Sequence, residues 1–364
     1  MMLNGMRVVD FSNYLPGPYA TMRLAELGAE IIKVESPRGD PARELDVKLD
    51  GTGVVFLANN KGKKSVTLDL KNFKDQQLAK RLIASADAVL ESFRPGVMKR
   101  LGLDYETVRP LNPKLVYCSL TGYGDNGKYH QHGSHDLNYM AISGMLAQLK
   151  DSSGKPIHPS QTIADFVGGI AASERILAGL VARGISGEGS YHCISIADVM
   201  TSMMGNHFIM NQATGAINGV DILSGSIINY AIYETMDQRY IALGALEKKF
   251  WENFCEAIEK REWAVYYYHQ TNSDIYQEVR TVFKSKSFQQ WIEFSEKVDC
   301  CMTPVLEVDE LSNFSYFTNR DIIKNENDIL LPKLHSDRYD TSQCAPPKLG
   351  ENTNEILSSL FQGK

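Results

Sequence analysis

The sequence predicts an α/β protein with a parallel sheet, followed by a smaller α+β region. Three observations predict it. Short apolar, β-branched runs alternate with helical patterns over the first 120 residues. The runs are far enough apart for a crossover helix, which parallel neighbours require and which turns right-handed. Beyond residue 226, two β-rich runs are joined through MDQR, the pattern of a hairpin.

Each element can be read in order. Arg7–Phe11 (RVVDF) is the first strand. Residues 16–28 (PGPYATMRLAELG) form a helix that stops at a glycine. Glu30–Glu35 is the second strand, and SVTLDL at 65–70 the third. Residues 71–85 make a charged amphipathic helix, and ADAVLESF at 86–93 the fourth strand. A short helical stretch leads to a fifth strand at 114–121. Helical patterns cover 135–149 and 164–183, and 189–196 is one more strand. The polar, glycine-bearing segment 215–226 marks a domain boundary. The hairpin takes 228–234 and 240–245, and helices follow at 247–259 and 287–297. From residue 330 on, with Pro346 and Pro347, periodicity is weak. That stretch reads as an irregular arm covering another surface.

Composition narrows the function. A chain of 364 residues suggests about two domains. Its 43% apolar and 23% charged residues are ordinary globular usage. A net charge of −6 argues against general nucleic-acid affinity. No apolar run approaches the ~20 residues that cross a bilayer. The first residues lack a secretory pattern. Six cysteines without a CxxC pair are too few for a disulfide scaffold. The expectation is a reduced, soluble, cytoplasmic protein.

Five clusters could carry chemistry. Gly122-Tyr-Gly124-Asp-Asn-Gly127 fits GxGxxG, but no helix opens after it, so a turn-rich loop is the better reading than a dinucleotide site. His130, His132 and His135 crowd together and would need His158, His192 or His207 to complete a zinc site; the expectation is no metal. His135-Asp136-Leu137-Asn138-Tyr139 stands where a loop becomes a helix. It reads either as an anion-stabilising turn or as a capping cluster, with Asp136 or Ser134 as N-cap. Asp165 precedes a long helix, with Gly168 and Gly169 one turn on. It reads as an N-cap, or as a carboxylate where a ligand can approach the backbone. Lys61, Lys63, Lys64, Arg38, Arg43, Arg94 and Arg100 lie near strand ends and would suit a phosphate-rich ligand. The methionines at 140, 145, 200, 203, 204 and 210 read as helix core, or as an adaptable apolar lining.

Taken together, the segments resemble the family III CoA-transferases, and within them the α-methylacyl-CoA racemases. The matching stretches run almost end to end. They are 7–35 (from RVVDF to KVE), KKSVTLDLK at 63–71, ESFRPGVMKRLGL at 91–103 and LVYCSLTGYG at 115–124. They continue with SHDLNY at 134–139, ADFVGG at 164–169 and YIALGALEKKFW at 240–251. The PGP-to-KVE opening and FRPG carry the family likeness; HDLNY points to the racemase branch.

The resemblance implies a Rossmann-like large domain over 1–214, a small α+β domain over 222–325 and an arm, 326–364, returning to the large domain. It implies an interlocked homodimer. It makes His135 and Asp165 the two acid/base residues, with Glu247 orienting the histidine and Asp136 helping to hold the thioester oxygen. Arg38, Leu68, Asp69, Leu70, Lys71, Phe93, Arg94, Arg100, Ser134, Leu137, Asn138 and Tyr139 match CoA-binding positions. Two departures stand out: Ser36 replaces the arginine usual before Pro37, with Arg38 as its substitute, and Lys248-Lys249 replace the usual Pro-Gln.

The implied reaction is epimerisation of a 2-methylacyl-CoA by two groups on opposite faces of the α-carbon. CoA arrives as part of the substrate and no other cofactor, nucleic acid or membrane takes part. Two alternatives stay open. In one, a CoA transferase uses Asp165 as a covalent nucleophile. In the other, the protein binds acyl-CoA without catalysis.

Overall fold

The structure is a computed structural model that describes residues 1–45, 47–151, 153–326, 329–334 and 345–362. The chain divides into two compact units: Met1–Met204 with Thr318–Lys364, and Gly205–Phe317.

Six strands build the first unit: β1 (Arg7–Phe11), β2 (Glu30–Glu35), β3 (Lys63–Thr67), β4 (Ala88–Glu91), β5 (Val116–Thr121) and β6 (Ser190–Ser195). They lie in the order β3-β2-β1-β4-β5-β6, and every neighbouring pair is parallel. This is the doubly wound order, in which the chain reverses direction across the sheet between β1 and β4. Ligands of such sheets bind beyond the carboxyl ends of the strands at that point. The helices are α1 (Pro16–Glu26), α2 (Phe73–Ala84), α3 (Asp136–Ile142), α4 (Ile163–Ser186) and α5 (Ile196–Ser202). Val8, Ile31, Leu90 and Cys118 face Leu24 of α1, Ile176 of α4 and Met140 of α3 on one side of the sheet. Val9, Ile32, Val66 and Val89 face Leu82 of α2 on the other. Apolar residues on both faces of each strand are what a sheet covered on both sides requires.

Two sequence expectations need correction here. The third strand begins at Lys63 rather than at residue 65, because the Lys63 ammonium is fully buried against Asp10 at 3.0 Å. A lysine reads as loop until its partner is seen. The helix expected over 135–149 stops at Ile142; Gly144, with φ +84, turns the chain into a short 3-10 segment, Leu146–Gln148.

The second unit holds an antiparallel sheet of β7 (Tyr230–Glu234), β8 (Tyr240–Gly244) and β9 (Met302–Pro304), in the order β9-β8-β7. Helices α6 (Lys248–Ala257), α7 (Asp274–Phe283) and α8 (Phe288–Lys297) pack around an aromatic core. Tyr233 stacks on Phe283 with centroids 4.2 Å apart. The indole N–H of Trp251 donates to the Trp263 carbonyl at 3.0 Å, and that of Trp291 to the Phe283 carbonyl at 2.9 Å. These bonds satisfy the two buried indoles.

The irregular arm expected at the C-terminus contains regular elements. A hairpin of β10 (Ile323–Glu326) and β11 (Ile329–Pro332) is followed by α9 (Thr353–Gln362). Ile356 of α9 is 2% exposed within the α2-side core. Thr67 N–H donates to Thr353 Oγ1 at 3.0 Å and Ser65 N–H to Asn352 Oδ1 at 3.1 Å, tying this segment to β3. The helix carries its apolar stripe on Ile356, Leu357 and Leu360. That is too little for periodicity to register. Among the described residues no helix is long and apolar enough to cross a membrane.

Candidate active site

The site is built where β1 and β4 end. After β1, Asn13 N–H donates to Ser92 Oγ at 3.3 Å, joining the two strand-end loops. Phe93 N–H donates to Glu91 Oε2 at 2.8 Å. Arg94 then lies over Gly133: a Cβ there would stand 2.9 Å from a guanidinium nitrogen. This contact brings 133–139 to the Phe93–Arg94 loop.

Within that segment Ser134 Oγ donates to the Tyr139 hydroxyl at 2.9 Å. A Cβ at Gly122 would fall 2.6 Å from Ser134 Oγ and 2.7 Å from the Tyr139 hydroxyl oxygen. Gly122 of the GxGxxG match therefore yields space to this pair, and the next regular helix is α3, at Asp136. The loop is not a dinucleotide turn.

His135 is the N-cap of α3, and its own N–H donates to Asn138 Oδ1 at 3.0 Å. Neither Asp136 nor Ser134 fills that position, which corrects the capping expectation. Asp136 is instead the first helical residue, and its buried carboxylate reaches across: Oδ1 accepts the Asp165 N–H at 2.9 Å. Asp165 is not an N-cap either. Thr162 precedes α4, and Asp165 lies in the helix's first turn. Its carboxyl is pushed up to about 7, by burial first and then by the Asp136 charge. Burial penalises the ionised form and a neighbouring anion penalises it again. His135, adjacent in sequence to Asp136, is exposed.

Gly168 and Gly169 do not open the backbone to a ligand. A Cβ on Gly168 would meet Ile196 of α5 at 2.8 Å, and one on Gly169 the Pro16 carbonyl at 2.6 Å. They let α4 press against α5 and α1.

The CoA-binding candidates separate by exposure. Leu68 is buried and Leu70 half-buried, where Gln76 Nε2 donates to its carbonyl at 2.9 Å. Asp69 Oδ1 accepts Lys71 N–H at 3.1 Å, a turn that leaves the Lys71 side chain exposed. Phe93 is half-buried, Tyr139 buried, Leu137 and Asn138 exposed. Arg38, Lys71, Arg94 and Arg100 are exposed, and none is paired with a carboxylate among the described residues. The rest of the basic cluster is committed elsewhere. Lys63 pairs with Asp10, Lys61 with Glu26 at 3.5 Å, Lys64 with Glu30 and Glu355, and Arg43 with Glu35 at 2.7 Å. Sequence shows where charge is but not where it is buried, so those four read as ligand cations.

Glu247 belongs to the second unit, as the N-cap of α6. Lys248 pairs with Glu252 along that helix, and the Lys249 ammonium lies 4.4 Å from the Phe250 ring centre. The histidines are dispersed: His130 Nδ1 bonds the Gly127 carbonyl at 2.7 Å, His158 the Pro159 carbonyl at 2.9 Å and His192 the Ser190 hydroxyl at 2.8 Å. Among the described residues no three His, Cys, Asp or Glu side chains are grouped to hold a metal. Met140, Met200 and Met204 are buried core, while Met203 is exposed.

Sequence reasoning passed over Glu91. It is 5% exposed at the end of β4, and burial pushes its carboxyl up to about 7. In the sequence it is only the last polar residue of an apolar strand.

Comparison with known proteins gives the family. The profile of CoA-transferase family III matches residues 3–353. The chain is 32% identical over 368 residues to alpha-methylacyl-CoA racemase of Mus musculus, covering 98% of this chain and 93% of that protein. It is 33% identical over 313 residues to a probable fatty acyl-CoA transferase of Mycobacterium tuberculosis, covering 80% of this chain and 79% of that one. The crystal structure of a CaiB/BaiF family protein from Brucella suis superposes with TM-score 0.85 at 24% identity, covering 98% of this chain and 99% of its own.

Proposed function

The chain belongs to CoA-transferase family III, and on that footing we propose that it epimerises 2-methylacyl-CoA thioesters through an enolate. One observation carries the reading. Asp165 holds its proton near neutral pH, and Asp136, whose carboxylate contacts it, is the residue next to His135. An acid that titrates near working pH can both give and take a proton.

Neutral His135 removes the α-proton from one face, and protonated Asp165 returns one to the other. In the reverse direction the roles exchange. The enolate oxygen needs a donor. The Asp136 carboxylate is committed to the Asp165 N–H, so the donor is the Asp136 main-chain N–H, which has no acceptor within its helix at this first position. Glu247, the N-cap of α6, keeps the orienting role that the resemblance implies. Arg38, Lys71, Arg94 and Arg100 would meet the CoA phosphates. Leu68, Asp69, Leu70, Phe93, Ser134, Leu137, Asn138 and Tyr139 would line the rest of the CoA path. The two-base scheme draws on no group other than the CoA carried by the substrate. A cytoplasmic homodimer, each chain threaded through the other, completes the proposal.

The transferase relative at 33% identity favours a second reading, in which ionised Asp165 attacks the thioester carbonyl, the C–S bond breaks with CoA leaving as its thiolate, and a mixed anhydride is formed. One experiment separates the two. A single 2-methylacyl-CoA epimer is incubated with the protein in deuterated water. Epimerisation with α-deuterium uptake, and no added acid, supports the racemase. Turnover only with a free carboxylate acceptor, or an acyl adduct trapped on Asp165, rejects it.

A further inference from the structure

Glu35, the last residue of β2, is 1% exposed, and the proposed chemistry gives it no task. Its carboxylate is fully engaged. Arg43 donates from Nε to Oε2 and from Nη2 to Oε1, both at 2.7 Å. Oε2 also accepts the Asp40 N–H at 2.9 Å, and Oε1 the Ser65 hydroxyl at 2.6 Å. The Glu35 main-chain carbonyl accepts the Leu68 N–H at 2.9 Å. Burial alone would raise the carboxyl. The bonds from Arg43 and Ser65, with the Lys33 charge, outweigh burial and hold it below the usual range. Glu35 is therefore ionised at neutral pH, and hydrogen bonds to an ionised acceptor are about twice as strong as neutral ones.

Stability does not demand such a group, since a buried ion pair can often be replaced by apolar residues without loss. Its partners say more. β2 and β3 are parallel neighbours, and Glu35 stands opposite Thr67 at their carboxyl ends. Two loops leave the sheet there side by side. The first, 36–40, is a turn closed by the Gly39 N–H on the Ser36 carbonyl at 2.8 Å, and it carries Arg38. The second, 68–71, carries Lys71. Glu35 Oε2 fixes the first at Asp40. Oε1 and the main-chain carbonyl fix the approach to the second at Ser65 and Leu68. Gly39, with φ +80, lies against the same ion pair: a Cβ there would stand 3.0 Å from Arg43 Cδ. One buried residue thus joins the backbones of two loops whose cations are both exposed.

We propose that Glu35 is a positioning residue for a two-loop anion site: it does not touch the ligand, but fixes the backbones that carry Arg38 and Lys71, and so sets the affinity for the ligand's phosphates. Groups already in place at binding spare the ligand the entropy of ordering them. The inference rests on the CoA-ester reading, and binding rather than turnover tests it.

Titration calorimetry with free CoA is run on the parental protein, Glu35→Gln, Ser65→Ala and the double variant Arg38→Ala/Lys71→Ala, with melting temperatures beside it. Each of the first two substitutions is then placed in the double-variant background. Glu35→Gln should weaken CoA binding about tenfold and Ser65→Ala about threefold. With both cations gone, either substitution should change the remaining affinity by less than about twofold, because it acts through them. Parental affinity in Glu35→Gln and Ser65→Ala overturns the proposal, as does parental affinity in the double variant. The same loss in both backgrounds overturns it too, since Glu35 would then support the fold as a whole. Ser65→Ala leaves the Arg43 pair intact, so the comparison still decides if Glu35→Gln does not fold. CoA binding that depends on Glu35 in this way, in a protein that fails to epimerise, leaves the inference standing and rejects the reaction alone. Absence of CoA binding by the parental protein overturns both.

Discussion

Asp136 Oδ1 accepts the main-chain N–H of Asp165 at 2.9 Å, so a residue that opens one helix caps the first turn of another. The bond puts two carboxyls side by side in a partly dry site. Burial first, and then the neighbouring Asp136, makes Asp165 hold its proton longer.

Replacing Asp136 by asparagine keeps an acceptor for the Asp165 N–H and removes the charge. The Asp165 carboxyl should then fall below about 7, since one of its two causes is gone while burial remains. Epimerisation in the direction that needs protonated Asp165 should lose its rate at lower pH than in the parental protein. Above neutrality each unit of that fall removes about tenfold of the protonated form. Rate profiles from pH 5 to 9 measure it, and an unmoved limb would show that Asp136 does not set this titration.

The same shift has a consequence for stability. An aspartyl carboxyl raised from 3.8 to about 7 on folding binds its proton more tightly in the native state. Its contribution is present in full below the unfolded value and is lost as pH rises toward about 7. Asp165→Asn, which cannot ionise, should therefore abolish activity yet melt higher than the parental protein at pH 8. At pH 4 the gap should close. Calorimetric scans at the two pH values decide; an equal gap at both would mean that the gain comes from packing.

How much of this was legible beforehand depends on what kind of signal each part carries. The six parallel strands and their crossover helices were readable, because apolar runs and helical stripes are local patterns. The hairpin of β7 and β8 was readable for the same reason. Buried charge was not: Lys63 and Arg43 look like surface cations until Asp10 and Glu35 are seen beside them. Nor were Gly168 and Gly169, whose contacts with Ile196 and Pro16 exist only once α1, α4 and α5 meet. His135 and Asp165 were singled out by motif. Their link through the Asp136 carboxylate is a tertiary fact with no trace in local sequence.

Lys63 supplies a prediction about the fold itself. Its ammonium contacts Asp10 at 3.0 Å, the Pro18 carbonyl at 2.8 Å and Asn60 Oδ1 at 2.9 Å, all out of water. Lys63→Met preserves length and apolar stem but leaves Asp10 with Lys33 as its only nearby cation among the described residues. Removing one member of a buried pair costs about 3–5 kcal/mol. Urea denaturation should show a loss of that order, and Asp10→Asn in the same chain should restore part of it. A loss below about 1 kcal/mol would mean that Lys33 alone neutralises Asp10.

His135 separates the two chemistries most cleanly, because only one of them gives it work. In epimerisation it must move a proton at the α-carbon, a contribution of about 10²–10⁴-fold for a positioned acid/base group. In acyl transfer the covalent step belongs to Asp165, and His135 has no bond to form. Its side chain is exposed, so His135→Ala opens no core cavity. The variant should melt like the parental protein, bind CoA within a few-fold and lose epimerisation by at least about a hundredfold. The exchange of α-hydrogen for solvent deuterium should fall with it, in one direction more than the other, since the two faces are served by different groups. Near-parental deuterium uptake in His135→Ala would remove the histidine from the proton transfer and hand its step to another base.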